Sequence, residues 1–217
     1  MRKILMMIAM ATLAACENES YESGTGSLSL TTADFVEMYT DGSAAVSRVV
    51  TDDGEQLNLS HAPAAEWINR PDTVYRAVLY YDRAADEAVS PVSVVPVPVL
   101  RPVPAAQFEA IRTDPVRFES LWASAGGRYI NIGIYLKNGT TGDADSRHTV
   151  GIILDGVTRN ADGTSTARLR LYHDQGGVPE YYSTRYYISI PGEAVGADSA
   201  AVTIVTYDGA VCKVLGL

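Results

Sequence analysis

Apolar and polar positions alternate with a two-residue period through most of the second half of the chain. Within residues 129–137, Ile130, Ile132, Ile134 and Leu136 fall on one side, and Asn131, Gly133 and Tyr135 on the other. Leu169 and Leu171 interleave with Arg168, Arg170 and Tyr172. Tyr182, Thr184, Tyr186, Ile188 and Ile190 interleave with Tyr181, Ser183, Arg185, Tyr187 and Ser189. Neighbouring side chains of a strand point to opposite faces, so this period predicts strands with one buried side. Val116, Phe118, Ser120 and Trp122 follow the same rule, as do residues 149–154, and residues 201–207 and 210–217 meet at Asp208-Gly209. Seven short strands separated by turn residues predict an antiparallel β-sandwich over residues 105–217.

The first half is more broken. Residues 35–39 and 44–51 are β-prone runs split by Asp41-Gly42, and Asp53-Gly54 follows the second. Asp-Gly between such runs signals a hairpin, because both turn positions tolerate positive φ. Residues 56–59, 73–82 and 88–100 supply three further strands, with a brief helix at 63–68. Five strands in about 70 residues suit a small barrel of the OB type, placed here over residues 28–104. Five of the ten prolines stand at 91, 96, 98, 102 and 104. Proline cannot donate to a ladder, so this run reads as the barrel's last strand leaving as a stiff connector. The sharper alternative is a proline-rich ligand for a partner domain. Residues 105–112 are expected to form a one- or two-turn helix that closes the joint. The predicted class is all-β, an OB-like five-stranded barrel followed by an antiparallel β-sandwich of about seven strands.

The first sixteen residues obey a different rule. Arg2 and Lys3 precede the apolar run 4–13, and Ala14-Ala15-Cys16 follow. A charged start, a short apolar core and small residues before a cleavage point describe a secretory signal peptide over residues 1–15, too short to span a bilayer. The ending Leu13-Ala14-Ala15-Cys16 resembles a bacterial lipobox, which implies cleavage before Cys16 and acyl chains on it. The membrane partner is then that lipid, and the expected address is the outer membrane, with the fold held outside. Residues 16–27 are acidic and turn-prone and read as a flexible tether. Glu17, Glu19 and Glu22 also resemble the surface-export signal of Bacteroidetes lipoproteins; a simply solvated tether accounts for them as well.

Composition narrows the partners. The 217 residues are 47% hydrophobic and 20% charged, which describes a folded body and not a disordered chain. The net charge is −9, and losing Arg2 and Lys3 with the leader makes the remainder more acidic. Such a body is repelled by phosphate backbones, so nucleic acid is not an expected partner. With Cys16 acylated, Cys212 has no disulfide partner, and its apolar surroundings at 210–217 predict a buried free thiol.

Catalytic and metal chemistry is sparse. His61, His148 and His173 are the candidate bases, each read as a surface or strand-end polar group. His173 beside Asp174 is the best placed for a hydrolase. No Gly-x-Ser-x-Gly elbow is present. No zinc spacing occurs, and Asp143 with Asp145, or Asp155 with Asp162, lack the later glutamate of a calcium loop. No cofactor is expected. Tyrosine is the unusual residue class, 13 against three phenylalanines. Tyr181 and Tyr187 with Arg168, Arg170 and Arg185 form a candidate platform for a glycan or protein partner. Cross-strand packing of the sheet's outer face is the plainer reading.

Taken in order, the lipobox cysteine, Asp52-Asp53-Gly54-Glu55-Gln56-Leu57, Asn69-Arg70-Pro71, the valine-rich run 94–103, Thr113-Asp114-Pro115-Val116, Trp122, Gly127-Arg128-Tyr129-Ile130-Asn131-Ile132 and Leu169-Arg170-Leu171-Tyr172-His173-Asp174 resemble the NigD-like lipoproteins, a family of Bacteroidetes. Pro96 and Pro98 interrupt the exit strand more than that pattern does. The resemblance implies an OB-like N-terminal domain, a C-terminal sandwich and no catalytic set. It also implies a role in immunity to a lantibiotic-type bacteriocin, a cationic peptide that an acidic body would attract. The rival expectation is a glycan-binding accessory lipoprotein of a polysaccharide-uptake system. Asp72-Thr73-Val74 and Asp198-Ser199-Ala200 resemble the short O-glycosylation sequence of Bacteroidetes secreted proteins, the second expected in a loop.

Overall fold

The computed structural model describes residues 31–83, 88–140 and 146–217. The leader, Cys16 and its tether, and the Asp143–Asp145 pair lie outside them. The described chain is all-β, with twelve strands and three single-turn 3-10 helices.

Strands β1 (Thr32–Thr40), β2 (Val46–Thr51), β3 (Val74–Arg83) and β4 (Val89–Pro96) form an antiparallel sheet in the order β2-β1-β3-β4. At the β1–β2 turn the Asp41 carboxylate accepts from the Ser43 and Ala45 amides, and Ala44, not Gly42, carries the positive φ. The strand expected at 56–59 is reduced to two isolated bridges, Val50 with Gln56 and Leu59 with Val89. Its amides and carbonyls still reach both edges of the sheet: Leu57 N donates to Val49 O (3.0 Å) and Val89 N to Asn58 O (2.8 Å). Turn residues on either side leave this segment too short for a ladder. No helix forms at 63–68; one turn bond, Ile68 N to Ala65 O, is made there. Val36, Met38, Val49, Leu57, Leu79, Tyr81 and Val89 make the core of this part.

The proline-rich run passes along three sheets in turn. Val97 N donates to Arg76 O, Leu100 N to Ser189 O, and Pro102–Pro104 (β5) pairs with residues 152–154. Residues between the prolines supply the donors that proline lacks. A single 3-10 turn, Ala105–Gln107, follows.

All seven strands expected of the second half are present. β6 (Arg117–Ala123), β7 (Tyr129–Asn138) and β10 (Tyr182–Pro191) make a sheet ordered β10-β7-β6. β8 (Thr149–Arg159), β9 (Ser165–Asp174), β11 (Ser199–Thr206) and β12 (Gly209–Gly216) join β5 in the order β12-β11-β9-β8-β5. Two pairings are parallel, β11 with β9 and β5 with β8. For β11 the cause is visible: β10 crosses to the other sheet, so the chain returns beside β9 in the same direction. Between the sheets lie Ile130, Ile132, Ile134, Leu136, Leu169, Leu171, Ile188, Ile190, Val202 and Ile204. Truncating any one of these to alanine costs about 2–5 kcal/mol.

A register shift in β6 between Phe118 and Ser120 breaks the expected alternation. Such a bulge re-aims the side chains after it. Leu121 takes the buried position (8% exposed), and Trp122 turns outward to meet the first sheet. There Phe35 stands edge-on to Trp122 and Tyr187, both at 5.1 Å. Beside these rings, Arg76 donates through Nη2 to Asp52 Oδ2 (2.7 Å) and Asn131 Oδ1 (3.1 Å), and through Nε to Ser189 Oγ (3.1 Å). Its Nη1 lies 2.6 Å from the other Asp52 oxygen. Asn131 Nδ2 donates to Asp52 Oδ2, and Asn131 Oδ1 accepts from Ser189 Oγ, closing the network. Asn131 and Ser189 are wholly buried, so the outer face of β7 is covered here by the first sheet.

Candidate functional site

Further up the same outer face, away from this joint, the sheet is open. Arg117, Tyr135 and Arg185 lie in one cross-strand row. The guanidinium carbons of Arg117 and Arg185 stand 4.8 and 5.4 Å from the Tyr135 ring centre, within cation–π range. Arg185 donates to the Tyr135 hydroxyl (2.8 Å) and pairs with Glu119 (2.8 Å), and that hydroxyl donates to Glu119 (3.3 Å). Glu119, two residues after Arg117, lies on the same face by simple alternation. It lies over Gly133, where an added Cβ would come 2.4 Å from Ser120 Oγ and 2.8 Å from Glu119 Oε2.

Beyond this row a groove of about 700 Å³ separates the start of β6 from the β11–β12 hairpin. Val116, Arg117 and Phe118 form one side, residues 206–211 the other, and Tyr135, Lys137, Ser183 and Glu180 also line it. Tyr207, 45% exposed, stands at the hairpin tip with the Lys137 amine 5.9 Å from its ring centre. Burial pushes the Tyr207 phenol above its ordinary pKa, and the charges of Glu180 and Asp114 push it further. Arg117, Lys137, Glu180 and Asp208 make no ion pair within 4 Å among the described residues. The groove thus offers rings, cations, carboxylates and a hydroxyl that no internal ion pair has used up, a lining suited to holding a polar ligand.

Solved structures share this architecture. A NigD-like immunity protein from Bacteroides caccae superposes with a TM-score of 0.62 at 23% identity, over 85% of this chain and 92% of its own. The fold is NigD-like. A toxin-related protein from Parabacteroides distasonis matches with a TM-score of 0.63 at 18% identity, over 86% of this chain and 93% of its own. A protein of unknown function from Bacteroides vulgatus does so at 0.63 and 14%, over 86% and 91%. No protein-family model matches the sequence, and no curated protein matches it. At these identities the likeness is one of fold.

On the NigD-like scaffold the five residues of the candidate platform separate into two groups. Tyr187 and Arg185 lie on the outer face of β10, with Tyr181, 77% exposed, just before it. Tyr187 packs against Phe35 of the first sheet. Arg168 and Arg170 lie on the outer face of β9, in the other sheet, so the sandwich core stands between the groups. There Arg168 donates to Thr158 Oγ1 and Arg170 pairs with Asp155.

Other expected positions fare differently. His173 is buried, 1% exposed, because Thr113 bridges alongside it and His148 covers its ring. Cys212 is exposed, because β12 is an edge strand and Cys212 pairs with Thr203 on its outer side. Asp155 and Asp162 serve different partners, Arg170 and the Thr164 turn, and no group of three metal-ligating residues occurs among those described. Ser199 opens β11 with its hydroxyl bonded to Thr166 and Ser165 instead of lying in a loop. His61 is exposed, with Ser60 Oγ 3.0 Å from its Nδ1. The groove residues Tyr135, Lys137, Arg117 and Tyr207 were not singled out by sequence. Alternation does put Tyr135 on the outer face, but nothing local brings the Tyr207 turn opposite β6.

Proposed function

We propose that this protein is a non-enzymatic, lipid-anchored binding module of the cell surface that protects its producer by capturing a bacteriocin-type peptide. The carrying observation is the open groove between β6 and the β11–β12 hairpin, on a fold shared with a NigD-like immunity protein. The toxin-related structural neighbour supports the same reading. The acidic chain supplies long-range attraction for a cationic peptide, and the rings of Tyr135 and Tyr207 supply contact surface. Attachment would come from the acyl chains on Cys16. A strain deleted for the gene is expected to be more sensitive to a purified lantibiotic-type peptide than the complemented strain. Equal killing of both at every dose removes the immunity reading.

One observation favours a second reading. Tyr207, exposed beside Lys137, Ser183 and Asp208, is also the equipment of a glycan site. Retention on polysaccharide resins that is lost in Tyr207→Ala, without any effect on peptide sensitivity, would favour it.

A further inference from the structure

Two imidazoles next to the segment that leads into the groove are joined by a hydrogen bond. His148 precedes β8 and His173 lies in β9; their ring centres are 5.2 Å apart at 25°. His173 Nδ1 stands 2.9 Å from the Asp114 carbonyl, which only accepts, so that nitrogen carries a proton. His173 Nε2 must then accept from His148 Nδ1, 3.0 Å away. With both rings neutral each of these two N–H groups has an acceptor, while His148 Nε2 is buried without a hydrogen-bond partner among the described residues. Backbone bonds tie the same place to the groove: His173 N donates to Arg112 O, Asp114 N to His173 O, and Gln175 N to the Asp114 carboxylate. Two residues after Asp114, Val116 lines the groove. Gln175 Nε2 donates to the carbonyl of Lys137, which lines it too.

We propose that the His148–His173 pair is an acid-released latch for the end of the groove. An added proton would place a charge on a ring that no carboxylate touches among the described residues. The charged groups of the packed elements are Lys137, Arg147, Arg112, Asp114, Asp174 and Glu180. Asp114 is committed to the Gln175 amide, and Asp174 to Arg112 and the Gly176 amide. A charge buried without a partner is expelled and not kept. Burial accordingly pushes His148 below the ordinary histidine pKa, a charge on His173 would push it further, and the Lys137 carbonyl partly restores it. Below about pH 6.5 the opened form takes up a proton that the latched form refuses, so acid favours opening. Opening frees residues 112–116 from β9. That ligand affinity falls with it rests on the groove being the binding site; the opening itself does not.

Amide hydrogen exchange on the full chain, without ligand, tests this directly. Protection of the Asp114 and His173 amides, corrected for intrinsic rates, is expected to fall about tenfold or more from pH 7.5 to pH 5. In His148→Asn, which keeps a donor in place of Nδ1, the fall should disappear. Unchanged protection in the native chain, or the same fall in His148→Asn, overturns the latch. Nitrogen-15 spectra of the native histidine rings provide a readout independent of the variant's folding. Two neutral rings at pH 7.5, with His173 protonated on Nδ1, are expected, and a charged pair at that pH refutes the mechanism.

Discussion

The joint and the groove lie on one face of the same three-stranded sheet and use the same residue types, yet they are opposites. At the joint, Arg76 is 5% exposed and its donors are met by Asp52, Asn131 and Ser189, with the Tyr129 ring 4.1 Å beneath it. In the groove, Arg117 and Lys137 rest against tyrosine rings and face solvent space. Arginine and tyrosine do not by themselves mark a binding site. What separates the two regions is whether the polar groups are already satisfied.

The comparison breaks most visibly at Arg76. Arg76→Ala leaves the Asp52 carboxylate, Asn131 and Ser189 short of a donor in a covered place, and should cost about 3–5 kcal/mol in chemical unfolding. A loss under about 1 kcal/mol, the range of an exposed ion pair, would mean that the joint is not closed to water.

A smaller effect should follow pH through Glu37, which links the two parts by accepting from Tyr129 (2.8 Å), Arg128 (3.0 Å) and Tyr39 (2.8 Å). Burial, the largest influence, raises its pKa. The two phenols and the charges of Arg128 and Arg76 outweigh it, so the net shift is downward. The stability this carboxylate contributes is therefore full above its unfolded value of about 4.5, and is lost as pH falls through the folded value. Melting curves of Glu37→Gln should show a shallower loss of stability than the native chain below pH 5. Parallel acid profiles would remove Glu37 from the account.

The least effect on stability is expected in the groove. Arg117→Ala and Tyr207→Ala should each move the melting temperature by no more than about 2 °C, since neither removes a satisfied buried group. A large drop would turn the groove into a second joint.

The same contrast explains what sequence could and could not reveal. The strands of the sandwich follow from alternation because each has one face on a shared core; Ile130 to Leu136 and Leus 169 and 171 are buried as their period requires. Alternation is silent about a second layer. Asn131 and Ser189 read as solvent-facing but are covered by the first sheet, Gly133 is covered by Glu119, Ser120 and Tyr187, and Arg76 reads as an ordinary strand arginine. The bulge that turns Trp122 outward leaves no local mark, since Phe118-Glu119-Ser120 fits a regular strand equally well. Cys212 was misplaced for a related reason: an apolar run predicts a strand but not whether that strand lies at an edge. Tyr181 and Arg168 share a residue pattern with their partners, while sheet membership, a long-range property, puts them apart.

Titrating the purified full chain with a lantibiotic-type peptide by calorimetry tests the central claim most directly, with the Arg117→Ala/Tyr207→Ala double variant alongside. The account predicts binding by the native chain and an affinity at least about tenfold weaker in the double variant, a loss of about 1.4 kcal/mol, with the melting temperature preserved. Equal affinity in the two proteins would contradict it.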